Sequence, residues 1–142
     1  MLIKEIVEAT GGTLLSGNMN DDVRGFTQDT RQIHEGDMYI PLVGEKNDGH
    51  QFIKQAFEAG ASSVITSQPI DYPDKNVILV KDTLQALTDM AAYLRKHRAV
   101  KVVGITGSVG KTSTKDMIYA VVSMQYKTLK TLGNYNNHIG LP

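Results

Sequence analysis

Apolar residues along the chain repeat with two periods, and switches between them mark the expected elements. Leu2, Ile3, Ile6, Val7 and Ala9 recur at helical spacing, and Gly11 and Gly12 close that run. TLLS (13–16) and VRGF (23–26) read as short strands separated by the polar turn GNMNDD. DMYIPLVG (37–44) is a β-rich run that opens into the polar loop EKNDGH. Phe52, Ile53, Ala56 and Phe57 return to helical spacing between His50 and Ala59, with Gly60 as the stop. SSVIT (62–66) and NVILV (76–80) are strand candidates, the second apolar throughout and so expected to be buried on both faces.

The second half starts with a cap. Asp82 stands where a helix N-cap belongs, and Leu84, Leu87, Ala91 and Leu94 follow on one face. Arg95, Lys96, His97 and Arg98 gather at its C-terminal end, where cations complement the helix dipole, so they read as a solvated helix end. KVVGIT (101–106) predicts a strand, 111–124 a helix, and YKTLKT (126–131) a further strand before GNYNNHIGLP. Alternating strands and helices predict an α/β fold. A new strand–loop–helix unit starts just after Arg98, which sets the expected domains at 1–98 and 99–142.

Composition narrows the function classes. Lys+Arg and Asp+Glu are balanced at 15 each, so no overall basic field points to nucleic acid or an anionic membrane. Cysteine is absent, which removes disulfides, thiolate zinc sites and cysteine nucleophiles. The N-terminal stretch MLIKEIVEATGG lacks an apolar run of signal-peptide length, and no segment approaches a membrane span. The expectation is a cytoplasmic protein with no membrane insertion.

The densest chemistry lies in Gly104-Ile-Thr-Gly-Ser-Val-Gly-Lys-Thr-Ser-Thr114. A strand, a glycine-rich turn and a helix start together make an anion site, with backbone N–H groups turned inward and a helix dipole behind them. Gly107 and Gly110 would let the backbone close around phosphate oxygens. Lys111 would reach the terminal phosphates and the Thr112 hydroxyl would ligate Mg²⁺. The common pattern G-x-x-x-x-G-K-[ST] needs a glycine at position 105, which is Ile105. The segment instead fits T-G-x-x-G-K-T, written Thr106-Gly107-Ser108-Val109-Gly110-Lys111-Thr112.

That variant resembles the ATP-binding loop of the Mur ligases, the ATP-dependent amide ligases of peptidoglycan synthesis. Two further stretches carry the resemblance. FTQDTR (26–31), followed by EGDMYIPLVGEKNDGHQF (35–52), is similar to the family's uridine-nucleotide domain, where a D-S/T-R motif precedes a G-E-x-x-D-G-H-x-F loop. TLGNYNNHIGLP (131–142) resembles the branch that adds D-alanyl-D-alanine. One departure is Val109, where the family usually has Asn; it removes a side-chain cap on the loop and leaves the backbone cradle.

The resemblance implies a small uridine-binding α/β domain, followed by the first β-α-β of a P-loop, Rossmann-like ATP-binding domain. It implies ATP and Mg²⁺ as cofactors, UDP-N-acetylmuramoyl tripeptide and D-alanyl-D-alanine as partners, and an acyl-phosphate intermediate. By the same resemblance Thr106, Gly107, Ser108, Val109, Gly110, Lys111, Thr112 and Ser113 hold ATP phosphates, with Lys111 and Thr112 catalytic and Thr112 on the metal. Thr30, Arg31, Asn47, Asp48, His50, Asn136 and Asn137 are the implied uridine-sugar contacts. Local chemistry leaves alternatives for several of these. Asp29 and Arg31 could form a turn ion pair, Asp48 could cap the helix near His50, His50 could be a surface histidine, and the asparagines could build a turn. The relatives run to about three times this length, so the chain corresponds to a first domain and the start of a second. Alone it is expected at best to bind and to self-associate through an uncovered apolar face. The competing readings are a non-catalytic UDP-sugar or nucleotide-binding module, and another Mur ligase such as the one that adds the third amino acid. A small kinase is weaker, because no strand with an acidic residue follows Lys111.

Overall fold

The computed structural model describes residues 1–44 and 47–131. The chain falls into two compact units, Met1–Tyr93 and the part from Leu94 onward. The first is a five-stranded mixed sheet with helices on both faces.

Helix α1 (Ile3–Thr10) starts from Leu2, whose N–H donates to the Glu5 carboxylate at 2.7 Å, and ends at Gly11 with φ 61°. Such a left-handed C-cap favours glycine. Strands β1 (Thr13–Ser16), β2 (Phe26–Thr27) and β3 (Met38–Tyr39) follow, then helix α2 (Ile53–Glu58), strands β4 (Ser63–Thr66) and β5 (Asn76–Leu79), and helix α3 (Thr83–His97). The strand order is β1-β5-β4-β3-β2. β2, β3, β4 and β5 run parallel, and β1 joins β5 antiparallel.

The two-residue side-chain period of a strand divides the core. Met38, Ile40, Ile65, Ile78 and Val80 face Ile3 and Ile6 of α1 and Ala86 and Met90 of α3. Tyr39, Val64 and Val77 face the other way, against Ile53 and Ala56 of α2. This double burial is why 62–66 and 76–80 lack polar alternation. No helix separates β4 from β5. Instead segment 67–75 lays Ile70 and Tyr72 over that face, with the rings of Tyr72 and Phe57 4.8 Å apart. Ser16 Oγ lies 2.9 Å from the carbonyls of both Tyr72 and Lys75, which ties the segment to β1.

Several elements are shorter than their apolar runs suggest. β3 stops at Tyr39, and the buried Pro41 that follows has no N–H for a ladder. Only Phe26 of the run 23–26 belongs to β2, because Arg24 N–H donates to Gly36 O in a turn. The 50–59 helix opens as a 3₁₀ turn, Gly49–Phe52, before α2. Asp82 does cap α3: its carboxylate accepts the N–H groups of Leu84 at 2.8 Å and Gln85 at 3.0 Å. Thr83 Oγ1 donates to Pro41 O at 2.5 Å, fixing the start of α3 to the end of β3.

In the second unit, α4 (Lys111–Val122) forms where its pattern places it. Segments 101–106 and 126–131 enter no ladder among the described residues. Parallel strands persist when both faces are covered. None of the described residues from Leu94 on is buried, and Val102 and Val103 stand largely in solvent. Segment 126–131 is held by side chains instead. Lys130 Nζ donates to Asp116 at 2.7 Å and lies 4.7 Å over the Tyr119 ring, while Lys115 Nζ donates to Thr131 O. Among the described residues no helix is long and apolar enough to cross a membrane.

Candidate functional site

The C-terminal edge of the parallel strands collects the chemistry of the first unit, as open α/β sheets generally do. β2 ends at Thr27, whose Oγ1 accepts the Asp29 N–H at 3.1 Å. Asp29 then caps the 3₁₀ turn Thr30–Gln32, accepting the Arg31 N–H at 3.0 Å. The same carboxylate accepts Arg31 Nε at 2.8 Å and Nη2 at 2.7 Å, a two-pronged ion pair. The turn ion pair is therefore formed. Arg31 is nonetheless 84% exposed, and its Nη1 makes no bond among the described residues.

Bonding to Arg31, first through the guanidinium and then through the backbone N–H, lowers the Asp29 pKa to about 2. The fold holds the ionised form, so its stabilisation is in place at neutral pH. It begins to fade below the ordinary aspartate range and is gone once pH falls through about 2. At the surface that contribution is small and screened by salt. In Arg31→Ala the Asp29 carboxyl should titrate back near the ordinary aspartate value, measured by carbon-detected NMR. An unchanged midpoint would show that Arg31 is not the cause.

Beyond β3, residues 42–44 and 47–49 lie side by side as the two arms of a hairpin. Gly49 N–H donates to Leu42 O at 3.0 Å, Gly44 N–H donates to Asn47 O at 2.9 Å, and Val43 bridges Asp48 antiparallel. A Cβ on Gly49 would lie 2.8 Å from Leu42 N and 2.9 Å from Pro41 Cα, so this close approach needs glycine. The Tyr39 hydroxyl donates to Gly49 O at 3.1 Å from beneath. Its pKa is raised by burial, and further by the carboxylates of Asp29 and Asp48. Two stretches far apart in sequence thus converge over one tyrosine.

Asp48 caps the Gly49–Phe52 turn, accepting the His50 N–H at 2.9 Å. Its Oδ1 also meets His50 Nδ1 at 2.5 Å, and its Oδ2 accepts Gln68 Nε2 at 3.1 Å. These bonds, the His50 backbone N–H first, hold the Asp48 pKa below the usual carboxylate range. The His50 side chain is only 5% exposed, so it is no surface histidine. His50 Nε2 accepts the Ser67 N–H at 3.1 Å, so the ring carries its proton on Nδ1 and donates it to Asp48. Ser67 Oγ also lies 3.1 Å from Nε2. Asp48–His50–Ser67 has the order of a nucleophilic triad, but the Nε2 lone pair is already engaged by a backbone N–H. Asn47 lies exposed on the hairpin, and Thr30 is half-buried in the turn below.

The phosphate-loop residues lie in the second unit. Gly107 has φ 148° and Gly110 φ 81°, both in the glycine-favoring region. Ser108, Val109 and Gly110 are exposed, and nothing lies within 4 Å of a Cβ built on Gly110. Lys111 opens α4 and folds back, its Nζ donating to Gly107 O at 2.6 Å. Thr114 N–H closes the first helical turn on Gly110 O at 2.9 Å, so the amides ahead of it sit at the anion-facing end of a twelve-residue helix. Thr112 and Ser113 are exposed in that first turn, and Thr106 is exposed ahead of the loop. The curled, open backbone and a lysine across its mouth fit a polyphosphate. Among the described residues no three His, Asp or Glu side chains converge on a metal position. The donor that could hold Mg²⁺ here is the Thr112 hydroxyl, completed by phosphate oxygens. Asn136 and Asn137 lie outside the described residues.

A family model described as "Mur ligase family, catalytic domain" matches residues 22–95, and one described as "Mur ligase middle domain" matches 105–142. The chain belongs to the Mur ligase family. A UDP-N-acetylmuramoyl-tripeptide–D-alanyl-D-alanine ligase of Bacillus subtilis is 47% identical over 99% of the chain. MurF of Acinetobacter baumannii superposes with TM-score 0.88 over 98% of the chain at 34% identity. MurF of Thermotoga maritima, solved in complex with ADP, gives TM-score 0.72 over 84% at 33% identity. The chain spans 31% of the B. subtilis protein, 31% of the A. baumannii chain and 28% of the T. maritima chain.

Within this Mur ligase fold, sequence reasoning missed Tyr39, Ser67 and Gln68. Tyr39 is hidden in an apolar run, and Ser67-Gln68 reads as the start of an ordinary turn. Only strand register brings them beside Asp48 and His50.

Proposed function

We propose that this chain is the N-terminal portion of an ATP-dependent ligase that joins D-alanyl-D-alanine to UDP-N-acetylmuramoyl tripeptide in the cytoplasm. Residues 1–98 form the uridine-sugar domain and 99–142 begin the ATP domain. What carries the reading is a glycine-curled loop closed by Lys111, within a chain 47% identical to a ligase of that description.

ATP would supply the phosphoryl group that makes a substrate carboxylate reactive, with Mg²⁺ neutralising phosphate charge. The chain's own residues supply positioning. Backbone amides from Gly107 to Ser113 line the phosphate position, Lys111 brings a positive charge to it, and Thr112 is the metal donor. Arg31 and Thr30 sit where a uridine pyrophosphate would meet the sheet edge, with Asn47, Asp48 and His50 in the neighbouring hairpin. Arg31 already accepts the constraint of Asp29, so its fork is oriented before a ligand arrives. Asn136 and Asn137 are assigned to the same substrate on sequence alone.

Calorimetric titration of the 142-residue chain with UDP-N-acetylmuramoyl tripeptide should give saturable binding, weakened about tenfold in Arg31→Ala. The same chain should release no phosphate from ATP when D-alanyl-D-alanine is added, because its second unit holds no buried core among the described residues. Absence of binding by the unmodified chain would remove the uridine-sugar assignment. Dipeptide-dependent turnover would refute its description as an incomplete ligase.

A further inference from the structure

We propose that Ser67 and Gln68 are positioning residues of the uridine-nucleotide site, acting through His50 and Asp48 to hold the 42–44 and 47–49 arms in one conformation. The proposal rests on the uridine-sugar reading of the N-terminal domain. It also reassigns Asp48 and His50 from ligand contacts to internal supports.

The support begins in the core. Thr66 is fully buried on β4, and its Oγ1 accepts the Gln68 N–H at 3.0 Å and donates to Gln68 O at 2.8 Å. Both backbone polar groups of Gln68 are therefore fixed. From that base its amide donates to Asp48 Oδ2 at 3.1 Å. Ser67 beside it donates its N–H to His50 Nε2 at 3.1 Å. His50 completes the circuit by reaching Asp48 Oδ1 through Nδ1. From below, Tyr39 grips Gly49 O at 3.1 Å. Three elements, the ends of β3 and β4 and the turn ahead of α2, thus converge on Asp48 and Gly49.

Both oxygens of Asp48 and both ring nitrogens of His50 are committed within this circuit. With its side chain 5% exposed, His50 has little to offer a ligand directly. What the circuit supplies is preorganisation. A loop already in its bound shape need not be ordered at the moment of binding, and that saving appears as affinity. Gln68 is exposed, so its removal should change affinity without changing global stability.

Gln68→Ala should bind UDP-N-acetylmuramoyl tripeptide about 3–10-fold more weakly at an unchanged Tm. Gln68→Glu, which sets a second carboxylate against Asp48, should lose at least as much. In ¹⁵N spectra His50 should show the Nδ1-protonated tautomer both without and with the tripeptide nucleotide. Affinity of Gln68→Ala equal to the unmodified chain would overturn the proposal. So would a change of the His50 ring signals on ligand addition comparable to that of the Arg31 guanidinium, which would make His50 a direct contact. If the unmodified chain binds no uridine nucleotide, the functional reading fails separately, and amide hydrogen exchange then decides the circuit. Faster exchange at Asp48 and Gly49 in Gln68→Ala supports it, and unchanged exchange refutes it.

Discussion

Replacing Lys111 by alanine in a polypeptide extended to the length of its relatives should lower the ligase rate on the order of 10²–10³-fold. The reason lies in the reaction proposed. Phosphoryl transfer needs little covalent help and much charge neutralisation at fixed positions. Lys111 is placed for that role by two local facts: it is the first residue of α4, and its Nζ already crosses the loop to Gly107 O at 2.6 Å. Alanine would remove the Nζ bond to Gly107 O but keep both glycines and the Thr114 N–H bond to Gly110 O that starts α4. The loss should therefore fall on turnover, with tripeptide-nucleotide affinity changed less than about twofold. Phosphate release coupled to dipeptide addition measures the first quantity and calorimetry the second. A rate within tenfold of the unmodified enzyme would remove Lys111 from the mechanism.

Ile65→Ala should be the most damaging conservative truncation in the first unit, at about 2–5 kcal/mol. Ile65 is fully buried on β4, the middle strand of five, and pairs with Ile78 of β5. Its side chain belongs to the cluster of Ile3, Ile6, Met38, Ala86 and Met90, contributed by two helices and the sheet. A cavity there has walls on every side and little freedom to collapse, which raises the cost above the transfer of the lost methyl groups alone. Ile65→Val, which removes one methylene, should cost about 0.5–1.5 kcal/mol. Urea unfolding monitored by circular dichroism gives both values. A cost below about 1 kcal/mol for the alanine variant would mean that the sheet face under α1 and α3 is not packed as described.

The uncovered surface of α4 bears on both experiments. Met117 and Val121 are 71% and 70% exposed one turn apart on α4, and Met124, just past its end, is 87% exposed. That apolar surface has no buried partner among the described residues, and self-association of the chain is an expectation that light scattering would test. Stability should accordingly be measured at low protein concentration.

The amino-acid sequence by itself determined termini of three helices: the stripe and Gly11 for α1, the Asp82 cap for α3, and the glycine-framed start of α4. These depend on residues within one or two turns of each other, so local pattern suffices. The sequence also specified the phosphate loop, whose shape follows from glycines at fixed spacing. Tertiary structure decided what depends on partners distant along the chain. Strands exist only as pairs, so 13–16 and 63–66 became strands while 101–106, which enters no ladder among the described residues, did not. The same holds for the role of each polar residue. From the sequence Asp48 could be a ligand or a helix cap and His50 a ligand or a surface histidine; only parallel pairing of β3 with β4 brings Ser67 and Gln68 against them. A hydrogen bond across nearly twenty residues leaves no periodic trace, because its existence is set by strand register and not by spacing.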